Sequence, residues 1–208
     1  MQLIADKSIL LVGCGRMGSV MLAGWQKSGL HNISISDPAH ANHIDLSNVS
    51  TPFDIVVLAI KPQQADEILP TLQSHITLST LVLSIMAGVA IEKMQTLLNH
   101  TGAVFRAMPN SPAMIGAGIT VVTKNTRADD QQTNIASSLL NSLGDFLFVD
   151  NENLMNAVTA LSGSGPAYLF YLIDVLAAAG AKQGLPPAIA MELARKTMIG
   201  SALLAQSE

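Results

Sequence analysis

Ile9-Leu10-Leu11-Val12, Ile33-Ser34-Ile35-Ser36, Asp54–Ile60 and Thr80–Met86 are apolar runs of strand length, and segments of helical period lie between most of them. Helices are predicted from the glycine turn after Val12 to Gly29, over Gln63–Leu72 with Pro70 ending or kinking it, over Ile91–Leu98 and over Asp129–Leu143. Val104–Met108 and Gly118–Val122 read as strands around a proline- and glycine-rich link, and Phe146–Val149 closes the series. This alternation predicts an α/β fold over residues 1–150, a Rossmann-like, doubly wound, mostly parallel sheet with helices on both faces.

From Asn151 the strand pattern stops, and a second, all-helical domain is expected over residues 151–208. Its helical segments are Asn153–Leu161, Pro166–Gln183 and Pro187–Gln206, with Ser164-Gly165-Pro166 starting the second and Gly184-Leu185-Pro186-Pro187 separating the last two. The middle segment is apolar nearly all round and ends in Ala177-Ala178-Ala179-Gly180. A helix of that kind needs burial on several sides, more than two or three helices of one chain supply. It is therefore expected to be a dimerisation element, the competing reading being a core helix of a monomer.

Composition supports self-association. The chain of 208 residues is 49% hydrophobic and 12% charged, with mean hydropathy +0.39, which implies much apolar surface covered by a partner. A membrane is not expected as that partner, because Asp174 interrupts Pro166–Ala181 and the run falls short of a ~20-residue span. The net charge of −4 without a basic cluster argues against nucleic acid. One cysteine allows no disulfide within the chain and suits the reducing cytoplasm. That cysteine and five scattered histidines show no metal-site spacing.

The candidate chemistry lies at the predicted strand ends. Gly13-Cys14-Gly15-Arg16-Met17-Gly18 joins a buried strand to a helix, so the first N–H groups of that helix are free to bind a pyrophosphate. Gly13 permits the turn, Gly15 the approach of the phosphates, and Gly18 the close packing of helix on strand. Cys14 is read as a small residue beside the phosphates. Asp37 follows Gly18 by about twenty residues, where a carboxylate accepts hydrogen bonds from an adenosine ribose. Lys61, held extended by Pro62, is a candidate for phosphate or ribose, and Asn110, between two prolines, for nicotinamide or substrate. Neither a Ser–His–Asp set nor a carboxylate pair is evident, which points to hydride transfer with a nicotinamide or flavin nucleotide.

Ala59-Ile60-Lys61-Pro62, Arg106-Ala107-Met108-Pro109-Asn110-Ser111-Pro112 with Gly116–Thr120, and Leu161-Ser162-Gly163-Ser164-Gly165-Pro166-Ala167-Tyr168 together resemble pyrroline-5-carboxylate reductase. The resemblance implies reduction of the cyclic imine 1-pyrroline-5-carboxylate to L-proline by NADP(H) or NAD(H), the last step of proline biosynthesis. It also implies a helical domain interlocked with a second subunit as a dimer or higher oligomer. Cofactor contacts are implied at Gly13, Cys14, Gly15, Arg16, Met17 and Gly18 and at Ala59, Ile60, Lys61 and Pro62. Asn110, Ser162, Gly163 and Ser164 are candidates for the wall of the substrate site, none as a general acid, and Ser164 has a competing reading as a helix cap.

Two departures from the family pattern carry expectations. The family usually takes the 2′-phosphorylated cofactor, yet Asp37 would repel a 2′-phosphate, with only His40 and His43 nearby to compensate, so NAD(H) is favoured. The family's Ser-Pro-Gly-Gly-Thr-Thr-like substrate loop has no counterpart in these residues, and a shortened chain that binds dinucleotide but reduces the imine poorly is expected. The alternatives are a non-catalytic dinucleotide-binding paralogue and a β-hydroxyacid-dehydrogenase-like enzyme. The latter needs a lysine after the first domain, and no lysine or arginine stands between Arg127 and Lys182.

Overall fold

The structure is a computed structural model that describes residues 4–207. Seven strands form one sheet in the order β2-β1-β3-β4-β5-β6-β7. They are β1 (Ile9–Val12), β2 (Ile33–Ser36), β3 (Ile55–Leu58), β4 (Leu81–Ser84), β5 (Val104–Met108), β6 (Gly118–Lys124) and β7 (Gly144–Phe148). All neighbours pair in parallel except β5 and β6, which are antiparallel, so the sheet is mostly parallel as the alternation predicts.

Helix α1 spans Arg16–Lys27, α2 Ala65–Ile68, α3 Ile91–Leu98 and α4 Asp130–Leu140. The two faces of the sheet explain why the strands read as unbroken apolar runs. Ile9, Leu11, Ile35, Val57, Leu83 and Phe105 point to one side, against Met21, Leu22 and Trp25 of α1 and Ile135 and Leu139 of α4. Leu10, Val12, Val56, Leu58, Val82 and Val104 point to the other, against Leu69, Leu72, Met94 and Leu98. Where the Trp25 indole is buried, its N–H donates to the Leu139 carbonyl at 2.9 Å.

Pro70 acts as expected: α2 ends at Ile68 and the chain tightens into a 3-10 helix over Leu69–His75. The predicted helix Asn153–Leu161 is more broken than its periodicity suggests. A 3-10 turn over Glu152–Leu154 leads into α5 (Met155–Val158) and then a π-helical turn, Thr159–Gly163. Strands end at Phe148, near the expected 150/151 boundary, whereas the chain divides into compact units between Gly163 and Ser164.

The second unit is a helix pair, α6 (Gly165–Lys182) and α7 (Pro187–Ser207). Gly184, at φ +97°, ends α6 by donating its N–H to the Ala181 carbonyl at 3.0 Å, while the Leu185 N–H returns to Gly180 at 3.2 Å. Only Ala177, Ala190 and Ala194 of these helices are buried, and Tyr168, Phe170, Tyr171, Ile199, Leu203 and Leu204 stand exposed. By length and hydropathy the helical stretch Glu152–Lys182 is sufficient to cross a membrane, longer than the run judged from sequence.

Candidate functional site

The strand order reverses at β1, which has β2 on one side and β3 on the other. In open α/β sheets the crevice beyond the strand ends at such a point receives ligands. Here that crevice is walled by Gly13–Gly18 after β1 and Ala59–Pro62 after β3. The Ala59 N–H donates to the Val12 carbonyl at 2.8 Å and holds the two turns together.

Two of the three glycines in the first turn are required by the backbone around them. Gly13 adopts φ +87°, and a Cβ there would lie 2.8 Å from the Ala59 carbonyl oxygen. A Cβ on Gly18 would lie 2.5 Å from the Gly13 carbonyl oxygen, so α1 can seat on the turn only with glycine. Gly15 is different: a Cβ there would meet nothing within 4 Å. Its exposed face opens on the N-terminus of α1, which has no side-chain cap and no acidic residue in its first turn. By contrast, α4 is closed by Asp129 and Gln132 as a capping box. The start of α1 can therefore take an external anion. Arg16 is exposed at that start, and Met17 is half-buried against the core. Burial, and then the Asp37 charge, push the Cys14 thiol above its ordinary pKa, which suits an unreactive spacer.

The structure brings Asp37 to the same turn. Its carboxylate accepts the Cys14 N–H at 2.6 Å and the Ala39 N–H at 2.9 Å. Those bonds, the Cys14 one foremost, hold its pKa below the ordinary aspartate value and keep it an anion. On the other wall Lys61 is extended, at φ −68° and ψ 141°, as a residue before proline should be. It is exposed and forms no ion pair among the described residues. Ala59, Ile60 and Pro62 are half-buried beside it.

A second group of predicted residues converges beyond β5. Asn110 is only 9% exposed. Its Oδ1 accepts the Ile119 N–H at 3.0 Å, and its Nδ2 faces the Ser162 hydroxyl at 3.4 Å. Ser162 and Gly163 lie in the π-helical turn, and a Cβ on Gly163 would lie 2.6 Å from the Met108 Cε. Asn110, Ser162 and Gly163 thus share one wall. Ser164 begins the second unit, at the N-cap position of α6, and its side chain does not cap that helix.

Glu152 is the residue that motif reading missed. Its Oε1 accepts from Arg106 Nη1 at 2.8 Å and from the Ile91 N–H at 2.9 Å. One carboxylate thereby neutralises a buried guanidinium on β5 and caps α3, ahead of the π-helical turn. Arg106, charged in an otherwise apolar strand, signals that an acidic partner exists but not where it stands.

Comparison with known proteins accords with this geometry. A family profile described as pyrroline-5-carboxylate reductase dimerisation matches residues 152–208, and one described as NADP oxidoreductase, coenzyme F420-dependent, matches residues 8–88. The chain is 34% identical to pyrroline-5-carboxylate reductase of Aquifex aeolicus over 97% of this chain and 79% of that protein. The structure of a pyrroline-5-carboxylate reductase from Coxiella burnetii superposes with a TM-score of 0.86 at 28% identity, covering 97% of this chain and 80% of that one. The Plasmodium falciparum pyrroline carboxylate reductase, solved with NADP bound, gives 0.87 at 26% identity, covering 98% and 80%.

Proposed function

This chain belongs to the pyrroline-5-carboxylate reductase family, and we propose that its first unit carries the nicotinamide nucleotide over the β1–β3 crevice and the imine beside Asn110. It is an NAD(P)H-dependent oxidoreductase acting on 1-pyrroline-5-carboxylate. When bound, the cofactor supplies a hydride to the C=N carbon of the imine. The uncapped start of α1 and the open face of Gly15 fit a pyrophosphate, with Gly13 and Gly18 shaping the turn beneath it. Lys61, exposed on the opposite wall, contributes a positive charge.

On the imine side the chain's task is to position the substrate. The Ile119 N–H fixes Asn110 Oδ1, so the amide is presented in one orientation toward Ser162. Gly163, without a side chain, leaves room next to Met108. Protonation of the ring nitrogen makes the imine carbon electrophilic, and we assign neither Asn110 nor Ser162 as the donor, since amides and hydroxyls are poor acids at neutral pH. Ordering alone contributes much, because well-oriented reactants reach effective molarities of ~10⁵ M or more.

Asp37 supports a preference for NAD(H), although the Plasmodium relative was solved with NADP. Its carboxylate, already an anion, repels a 2′-phosphate at the ribose end. The exposed apolar faces of α6 and α7 support self-association as a dimer or higher oligomer through a second copy of the chain. The single cysteine supports a reducing compartment, the cytoplasm.

The observation that carries the cofactor reading is the empty space at Gly15. Gly15→Val should leave the melting temperature nearly unchanged, because a Cβ at this position has no protein atom within 4 Å, yet weaken nucleotide binding at least ~100-fold by occupying the phosphate approach. Calorimetric titration with NADH and NADPH measures this, and unchanged affinity would sink the reading. In the same assay Asn110→Ala should retain nucleotide binding while imine-dependent oxidation falls ~100-fold in kcat/KM.

A further inference from the structure

The segment after β2 folds back on itself, and two histidines hold it. The His40 N–H donates to the Asp37 carbonyl at 2.9 Å, and the His43 N–H to the His40 carbonyl at 3.0 Å. His43 then bridges to Ile35 of β2, and the Ile44 N–H returns to the Ile35 carbonyl at 2.8 Å. Both imidazoles act as acceptors inside this loop. His43 Nδ1 accepts the backbone N–H of Asp37 itself at 3.1 Å, and His40 Nδ1 accepts that of Asn42 at 3.1 Å.

An imidazole nitrogen that accepts an N–H carries a lone pair, so this geometry requires both rings neutral with the proton on Nε2. Protonating Nδ1 would set two N–H groups against each other, break the bond that positions Asp37, and place a positive charge beside it. The charged groups facing these rings are the Asp37 carboxylate for both and the Asp45 carboxylate for His43. With neutral rings the loop presents a net negative end to the ribose. With both rings protonated the two imidazolium charges balance the Asp37 and Asp45 carboxylates, and the net repulsion of a 2′-phosphate is removed.

We propose that His40 and His43 are specificity-determining residues of the cofactor site, favouring NAD(H) while they accept backbone N–H groups and admitting NADP(H) once protonated. The inference rests on the reading that Asp37 lies at the ribose end of the site.

Titration calorimetry with NAD⁺ and NADP⁺, the acid-stable forms, tests it at about pH 8 and about pH 5.5. The ratio of the NADP⁺ Kd to the NAD⁺ Kd should fall about five- to tenfold on acidification of the unmodified protein. A 2′-phosphate also changes charge near pH ~6, and the double variant His40→Asn, His43→Asn shows that contribution alone. Asparagine Oδ1 can accept the same N–H but cannot become charged, so the double variant should lose most of the pH response. A ratio independent of pH in the unmodified protein overturns the proposal, as does an equal response in the double variant. Asp37→Ser at pH ~8 addresses the underlying reading separately. If it fails to shift the ratio toward NADP⁺ while the histidine-dependent response persists, the role of Asp37 falls and that of the histidines stands.

Discussion

Strands β1, β3 and β4 are buried at every position, whereas the larger apolar side chains of α6 and α7 face outward. Both regions are rich in the same residue types, so composition does not separate them. Arrangement does. A sheet with helices on both faces gives each strand residue a neighbour within its own unit. A pair of helices has one mutual seam, here lined by Ala177, Ala190 and Ala194 with Gly180 against Leu185 and Ala190, and that seam takes small residues so that the backbones approach. The first unit completes its own core, and the second carries an apolar surface that its two helices leave uncovered.

The sharpest way to break this contrast is to charge the exposed faces. Phe170 is 57% exposed and Leu203 61%, so Phe170→Asp with Leu203→Asp costs the isolated subunit little. In a symmetric assembly each substitution counts twice, and burying a large apolar side chain contributes ~1.5–3 kcal/mol. The loss of ~6–12 kcal/mol corresponds to at least ~10⁴-fold weaker association. Light scattering at micromolar concentration should give an oligomer for the unmodified chain and a monomer for the variant, with Trp25 fluorescence unchanged because that indole is buried in the first unit. A stable monomer before substitution would end the reading of α6 and α7 as an interface.

The same contrast explains what could be read from sequence. Strands in β1, β3 and β4 were legible because burial on both faces leaves continuous apolar runs, and the glycine turn because its spacing encodes local geometry. The antiparallel course of β6 was not legible, since a strand's own residues do not state its direction relative to a neighbour. The π-helical turn at Thr159–Gly163 was hidden for a similar reason: its periodicity differs from an α-helix by too little over five residues. In the candidate site, Asn110, Ser162 and Gly163 were singled out through motifs, but Glu152 was not, because it reaches Arg106 across 46 residues of chain. That pair gives the second prediction. Arg106 is 7% exposed at its side chain and Glu152 30%, so the ion pair is poorly screened. Glu152→Ala would strand a buried guanidinium and uncap α3. Breaking a fully buried pair costs ~3–5 kcal/mol, and the partial exposure of Glu152 brings this to about 2 kcal/mol. Glu152→Gln retains an acceptor and should cost less. Urea denaturation followed at Trp25 measures both, and equal losses for the two variants would show that charge is not what Glu152 contributes.

The smallest expected effect concerns acid, and it also divides the two regions. Asp37, Asp45 and Asp54 are held below the ordinary aspartate pKa, and all three belong to the first unit. For Asp37 the Cys14 N–H is the main cause, followed by that of Ala39. For Asp54 burial alone would raise the pKa, but the Ser8 N–H, the Lys7 ammonium and the Ser8 hydroxyl together outweigh it. A depressed folded-state pKa means that the unfolded chain binds protons first as pH falls. The stabilisation is therefore complete above the unfolded value of ~3.9 and is lost as pH drops through the lower, folded values. Between neutrality and about pH 5 these groups should leave stability flat, and below about pH 4 the first unit should loosen. Asp37→Asn with Asp54→Asn should lower stability at neutral pH and flatten the acid limb. Trp25, the one tryptophan, reports on the first unit alone, so melting curves read by its fluorescence at stepped pH isolate this response from the association of α6 and α7. An acid limb as steep in the double variant as in the unmodified chain would mean that other carboxylates control it.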